Sequence, residues 1–167
     1  MLYKWPMKPL IFIKKFILII GISFFTHLSY ASCFNQIGSC NYYSCKESEQ
    51  NCGPKDYLLN YGQRYCNKFY QELEKKLTAI GSQWIQDAAI CLQEEIEKNT
   101  QLDTSCANIK KNAYASHSLC YSRASFCELP IEDKYKIIKF LKNELFKFQT
   151  QKEGLQILFN CFQSKSH

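Results

Sequence analysis

The sequence predicts an all-α, disulfide-stapled domain of antiparallel helices behind an irregular, cysteine-dense N-terminal arm. Three observations predict it. Ten cysteines lie between positions 33 and 161, with none before. Apolar residues recur at spacings of three and four, the period of one helix face. No stretch alternates apolar and polar residues for long enough to define a strand, and no internal repeat occurs.

The first 31 residues differ in kind from the rest. Lys4, Lys8, Lys14 and Lys15 precede the apolar run Phe16 to Phe25, and Ser29-Tyr30-Ala31 offers a cleavage site before Ser32. This is the pattern of a secretory signal peptide. The run is ten residues long, well short of the roughly 20 needed to cross a bilayer, so stable membrane insertion is not expected. Tyr30 stands where a lipoprotein signal carries an aliphatic residue, and lipidation of Cys33 would leave an odd cysteine count. The expected mature domain is 32–167. It keeps 17 of 21 basic residues and all 15 acidic ones, 17 − 15 = +2 against +6 for the whole chain. So small an excess gives no argument for a nucleic-acid partner.

In a secreted domain, ten cysteines read as five disulfides. Zinc modules pair C-x2-4-C or Cys/His units. Here C-x4-C occurs once without a matching pair, and only His117 and His167 follow the leader. No metal or cofactor is expected.

From Ser32 to Pro54, four cysteines with Gly38, Gly53 and Pro54 argue against long regular structure. Tyr57, Leu58, Tyr61, Tyr65, Phe69 and Leu73 then mark a helix, weakened at Gly62. Ile80-Gly81-Ser82 reads as a break, with Ser82 as the next N-cap. In that helix Trp84, Ala88, Cys91, Leu92 and Ile96 form the apolar stripe, with Gln93, Glu94, Glu95 and Lys98 facing water. Trp84 reads as a core anchor. Asn99 to Asp103 is loop-like, and Asp103 or Thr104 caps the helix from Cys106 to Cys120. Those two cysteines are two heptads apart and share a face. Ile109, Ala113 and Leu119 are that helix's main apolar residues, and His117 reads as a surface or boundary residue. After Pro130, which suits a first turn followed by Glu132 and Asp133, Tyr135, Ile138, Leu141, Leu145 and Phe148 recur at helical spacing. Lys134, Lys136, Lys139, Lys142 and Lys147 read as a solvated face. Leu155 to Phe162 forms a short final helix bearing Cys161.

Catalytic equipment is not evident: no nucleophile, base and metal set stands at a workable spacing, so no enzymatic activity is expected. No EF-hand loop and no N-glycosylation sequon occur.

The ordered cysteines carry a resemblance. Cys40-x-x-Tyr43-x-Cys45, Cys66-x-x-Phe69, Gly81-x-x-Trp84-x6-Cys91 and, above all, Cys106-x13-Cys120-Tyr121-Ser122-x4-Cys127, with the long gap to Cys161, resemble the stanniocalcin family of secreted polypeptide hormones. Spacing alone leaves about 945 pairings open. The resemblance implies Cys33 with Cys45, Cys40 with Cys66, Cys52 with Cys106, Cys91 with Cys120, and Cys127 with Cys161. It further implies an extracellular protein partner, a receptor or a secreted pappalysin-type protease, and a hormone-like role in calcium and phosphate homeostasis. Two departures stand out. The family's unpaired dimer-forming cysteine has no counterpart before His167, so a covalent dimer is not expected, and the sequon of its N-terminal arm is absent. A cysteine-rich structural or effector protein with an unrelated partner, and a saposin-like lipid binder, are the competing readings.

Overall fold

A computed structural model describes residues 32–100, 105–142, 154–157, 159 and 161. Every regular element among them is helical. A short 3-10 turn at Cys33–Gln36 leads into α1, Asn41–Gln50. Four consecutive pieces, Leu58–Gln63, Arg64–Lys68, Phe69–Leu73 and Glu74–Lys76, form one rod, α2, whose first and third pieces are π-helical. Helix α3 is Ala79–Thr100, α4 is Cys106–Arg123, and α5 is Ile131–Leu141. Beyond them, 154–157, 159 and 161 are helical.

The N-terminal arm is not irregular. Asn41–Gln50 is a regular helix that ends at Asn51, in the left-handed conformation at φ 53°, and Gly53 follows at φ 97°. Asn and Gly are the residues that adopt this conformation readily, so they stop the helix without preventing it. Its inward face is Tyr42, Tyr43 and Lys46, two aromatic and one charged residue, a pattern without the aliphatic repeat expected of a buried helix.

Helices α3 and α4 make the most extensive packing in the fold. They run antiparallel, since Trp84 early in α3 meets Tyr121 late in α4, while Ile96 shares a cluster with Ile109 and Ala113. Helix α1 lies on the first turns of α2. Two apolar clusters result. One joins Tyr42, Tyr43, Tyr57, Leu58, Ile96 and Ile109, and the other Leu73, Trp84, Ile85, Ala88, Leu129 and Ile137. Trp84 is the core anchor that its size suggests.

Gly81 does not break the chain. The break is at Leu77, which is extended at φ −93° and ψ 164°. Helix α3 starts at Ala79, and Gly81 N donates to Thr78 Oγ1 at 3.3 Å, so Thr78 and not Ser82 caps it. Asp133 of α5, fully buried, accepts from Thr78 N at 3.2 Å and from Thr78 Oγ1. A carboxylate there satisfies orphan donors and complements the helix dipole. A Cβ on Gly81 would lie 2.5 Å from Asp133 Oδ2 and 2.8 Å from Leu77 Cβ. Glycine is therefore what admits the carboxylate.

Other expectations shift in the same way. Helix α3 continues through Asn99 and Thr100, while 101–104 lie outside the described residues. Ser105 caps α4, accepting from Asn108 N at 3.4 Å. Gln93 does not face water. Fully buried, its Oε1 accepts from Gly38 N at 2.6 Å and its Nε2 donates to Ser39 O at 3.0 Å, clamping the arm onto α3. Leu119 is exposed on α4, whereas His117 is buried. On α5, Tyr135 and Ile138 are exposed, and Asp133, Ile137, Phe140 and Leu141 turn inward. Leu145, Lys147, Phe148 and Phe162 lie outside the described residues.

Candidate functional site

The cysteines define the frame on which any site sits. Cys33–Cys45, Cys40–Cys66, Cys52–Cys106, Cys91–Cys120 and Cys127–Cys161 are bonded, with Cα–Cα separations of 5.6, 5.6, 5.5, 5.5 and 5.2 Å. All lie within the usual disulfide range, and they are the five pairs that the stanniocalcin resemblance implies. Three bridges converge on α4 and its exit. Cys106 holds the chain after α1, Cys120 holds α3, and Cys127 holds the C-terminal helical turn. Among the described residues, Cys33, Cys45 and Glu49 group closely enough to hold a metal ion, but the two sulfurs are spent on one another.

Behind this frame the rings of two helices converge. Tyr57, at the N-cap of α2, and Tyr61 and Tyr65 within it stand four apart, and Tyr114, His117 and Tyr121 stand three and four apart on α4. These spacings place each set on one helix face. His117 is the centre. Its Nε2 lies 3.3 Å from the Tyr57 hydroxyl. Its ring is nearly parallel to Tyr121 at 5.6 Å, edge-on to Tyr114 at 5.6 Å, and 5.8 Å from Tyr61. Burial, followed by the neighbouring tyrosines Tyr43 and Tyr61, pushes the Tyr57 phenol well above its usual range. The pair Tyr57–His117 is thus a polar point inside an aromatic layer.

Between this layer and α3 lies a cavity of about 70 Å³, lined by Tyr57, Tyr61, Tyr65, His117, Tyr121 and Trp84 among others. Gly62 forms part of its wall, and a Cβ there would lie 2.5 Å from the Tyr43 ring. Of its lining residues Tyr61, Tyr65 and Tyr121 are half-buried rather than buried. Arg64 lies 5.0 Å and Lys68 5.7 Å from the centre of the Tyr65 ring. Both cations are exposed, and neither has a carboxylate partner among the described residues.

A second polar point ties α1 to α3. Lys46, buried, reaches Glu49 at 2.9 Å and Glu97 at 3.0 Å. Tyr42 beside it has its phenol held far above the usual range, first by burial and then by the Glu97 carboxylate. Lys46 is satisfied by its two carboxylates, whereas the buried Tyr42 hydroxyl has no hydrogen-bond partner among the described residues; Lys46 gave no signal in the sequence.

The outer face of α5 is the largest apolar exposure on a single helix among the described residues. Ile131, Tyr135 and Ile138 are 82, 63 and 50 % exposed. The neighbouring lysines do local work. Lys134 donates to Cys127 O at 2.7 Å, Lys136 faces Asp133 at 3.8 Å, and Lys139 lies over the Tyr135 ring at 5.8 Å. No helix among the described residues is long and apolar enough to cross a membrane. A broader, more open hollow of about 400 Å³ between the start of α3 and the Ser125 turn is lined by Ile80, Trp84 and Leu129 as well as by Asp87, Arg123 and Glu128, so apolar and charged groups share its wall.

Searches for similar proteins returned no matching family model, no matching curated protein and no matching solved structure.

Proposed function

We propose that this chain is a secreted, stanniocalcin-like ligand that acts by binding an extracellular protein, a receptor or a secreted protease. The disulfide framework carries the reading. Its five pairs are the ones the resemblance implies, out of about 945 that ten cysteines allow. Disulfides persist in oxidising compartments, and the sequence begins with a secretory pattern. Bridges between α1, α2, α3 and α4 fix the surface before a partner arrives, which lowers the ordering cost of association. A role in calcium and phosphate homeostasis follows from the resemblance. The lipid-binder reading fares worse, because the more enclosed cavity, at about 70 Å³, is far below the roughly 300–1,000 Å³ of sites that enclose whole small molecules, and the hollow of about 400 Å³ is open and has Asp87, Arg123 and Glu128 in its wall.

The test is expression of the full chain in a secreting cell. Expected are release after cleavage before Ser32, no free thiols, saturable binding to an extracellular protein, and no partition to liposomes. Retention in the cell with free thiols contradicts the reading, as does strong liposome partition without a protein partner.

A further inference from the structure

We propose that the cavity beneath Tyr65 is a socket for one apolar side chain of the partner, presented on an acidic segment. The inference rests on the reading of the chain as a ligand for an extracellular protein, and it names what that protein brings. Size comes first. At about 70 Å³ the cavity takes a side-chain tip, well short of the roughly 300–1,000 Å³ typical for drug-sized ligands. Buried anchor side chains in such pockets carry most of the binding energy of protein interfaces. Lining comes second. Rings from α2 and α4 with Trp84 of α3 offer faces and edges to an aromatic or aliphatic group, and the wall is held by Cys40–Cys66 and Cys91–Cys120. Charge comes third. Arg64 and Lys68 lie over the ring of Tyr65, a lining residue, and have no carboxylate partner among the described residues. A cationic guest meets repulsion there, whereas an acidic flank gains two charge contacts.

Trp84 reports occupancy, since it lines the cavity and the other tryptophan, Trp5, lies in the leader. The probes are acetyl-Glu-Phe-Glu-amide, acetyl-Lys-Phe-Lys-amide and acetyl-Glu-Ala-Glu-amide, titrated into the oxidised, secreted protein. The acidic phenylalanine peptide is expected to shift Trp84 emission saturably and to bind best. The double variant R64Q/K68Q, at exposed positions, is expected to weaken it by about threefold or more, and added salt acts in the same direction. Ala89 lines the cavity and is half-buried, so Ala89→Leu fills the socket and is expected to abolish the shift while both variants keep the parent melting temperature. Equal binding of the acidic and basic peptides overturns the proposal, as does undiminished binding to Ala89→Leu. An extracellular partner that binds Ala89→Leu as tightly as the parent overturns the socket and leaves the ligand reading standing.

Discussion

Gly62 has no side chain, and that decides how closely α2 approaches α1. The Tyr43 ring occupies the space where a Cβ would stand, 2.5 Å from two ring atoms. Gly62→Ala gains up to about 1 kcal/mol of helix propensity but overpacks a buried ring, at about 1–3 kcal/mol. The clash prevails because Tyr43 is buried and a whole ring, not a side-chain tip, has to move to relieve it. A lower denaturation midpoint for Gly62→Ala is the expected outcome, and a higher one would show that Tyr43 moves freely. Asp133→Ala is expected to cost about 1.5–3 kcal/mol, the worth of hydrogen bonds to a charged group, read by the same titration. A loss below 0.5 kcal/mol, roughly the scatter of surface substitutions, would mean the carboxylate is not what caps α3. Both glycines read in the sequence as points of weakness. In each case a partner from a distant element, Tyr43 or Asp133, takes the vacant space, and no local pattern announces it.

At the scale of elements, helical spacing located the long helices and their order, because burial of one face imposes that period. It misjudged faces where the buried set is mixed. Gln93 and His117 are polar and buried because each meets a partner, the Gly38–Ser39 backbone or the Tyr57 hydroxyl. On α5 the apolar residues at positions 131, 135 and 138 form the outer stripe, and a carboxylate occupies the inner one. The aromatic ladder of α2 was legible at four-residue spacing. Its counterpart on α4 was not, since Tyr114, His117 and Tyr121 do not register as an apolar stripe. Gln93→Ala is expected to take the side-chain partner from Gly38 N and Ser39 O, both part-buried, at no more than about 1–3 kcal/mol each. Hydrogen exchange then checks the element concerned: faster exchange at Gly38 and its neighbours, with the centre of α4 unchanged, is the expected result.

For the whole molecule, buried phenols and disulfides set the limits of stability. Burial is the leading cause that raises the pKa of Tyr42, Tyr43, Tyr57 and Tyr70 above the ordinary value of 10.0. The unfolded chain releases these protons near pH 10 and the folded chain later, so above that pH the folded state binds more protons and stability falls as pH rises. The contribution is fully present below pH 10. A melting temperature that declines above pH 10, with phenolate absorbance lagging behind that of the unfolded chain, is expected; simultaneous titration of all tyrosines would refute it. The disulfide frame holds all of these elements in place. Non-reducing proteolysis of the oxidised chain, read by mass spectrometry, tests it. Five linked peptide sets are expected, among them Cys52 with Cys106 and Cys91 with Cys120, with a gain of ten hydrogens on reduction. A different pairing, or free thiols in the oxidised chain, would contradict it.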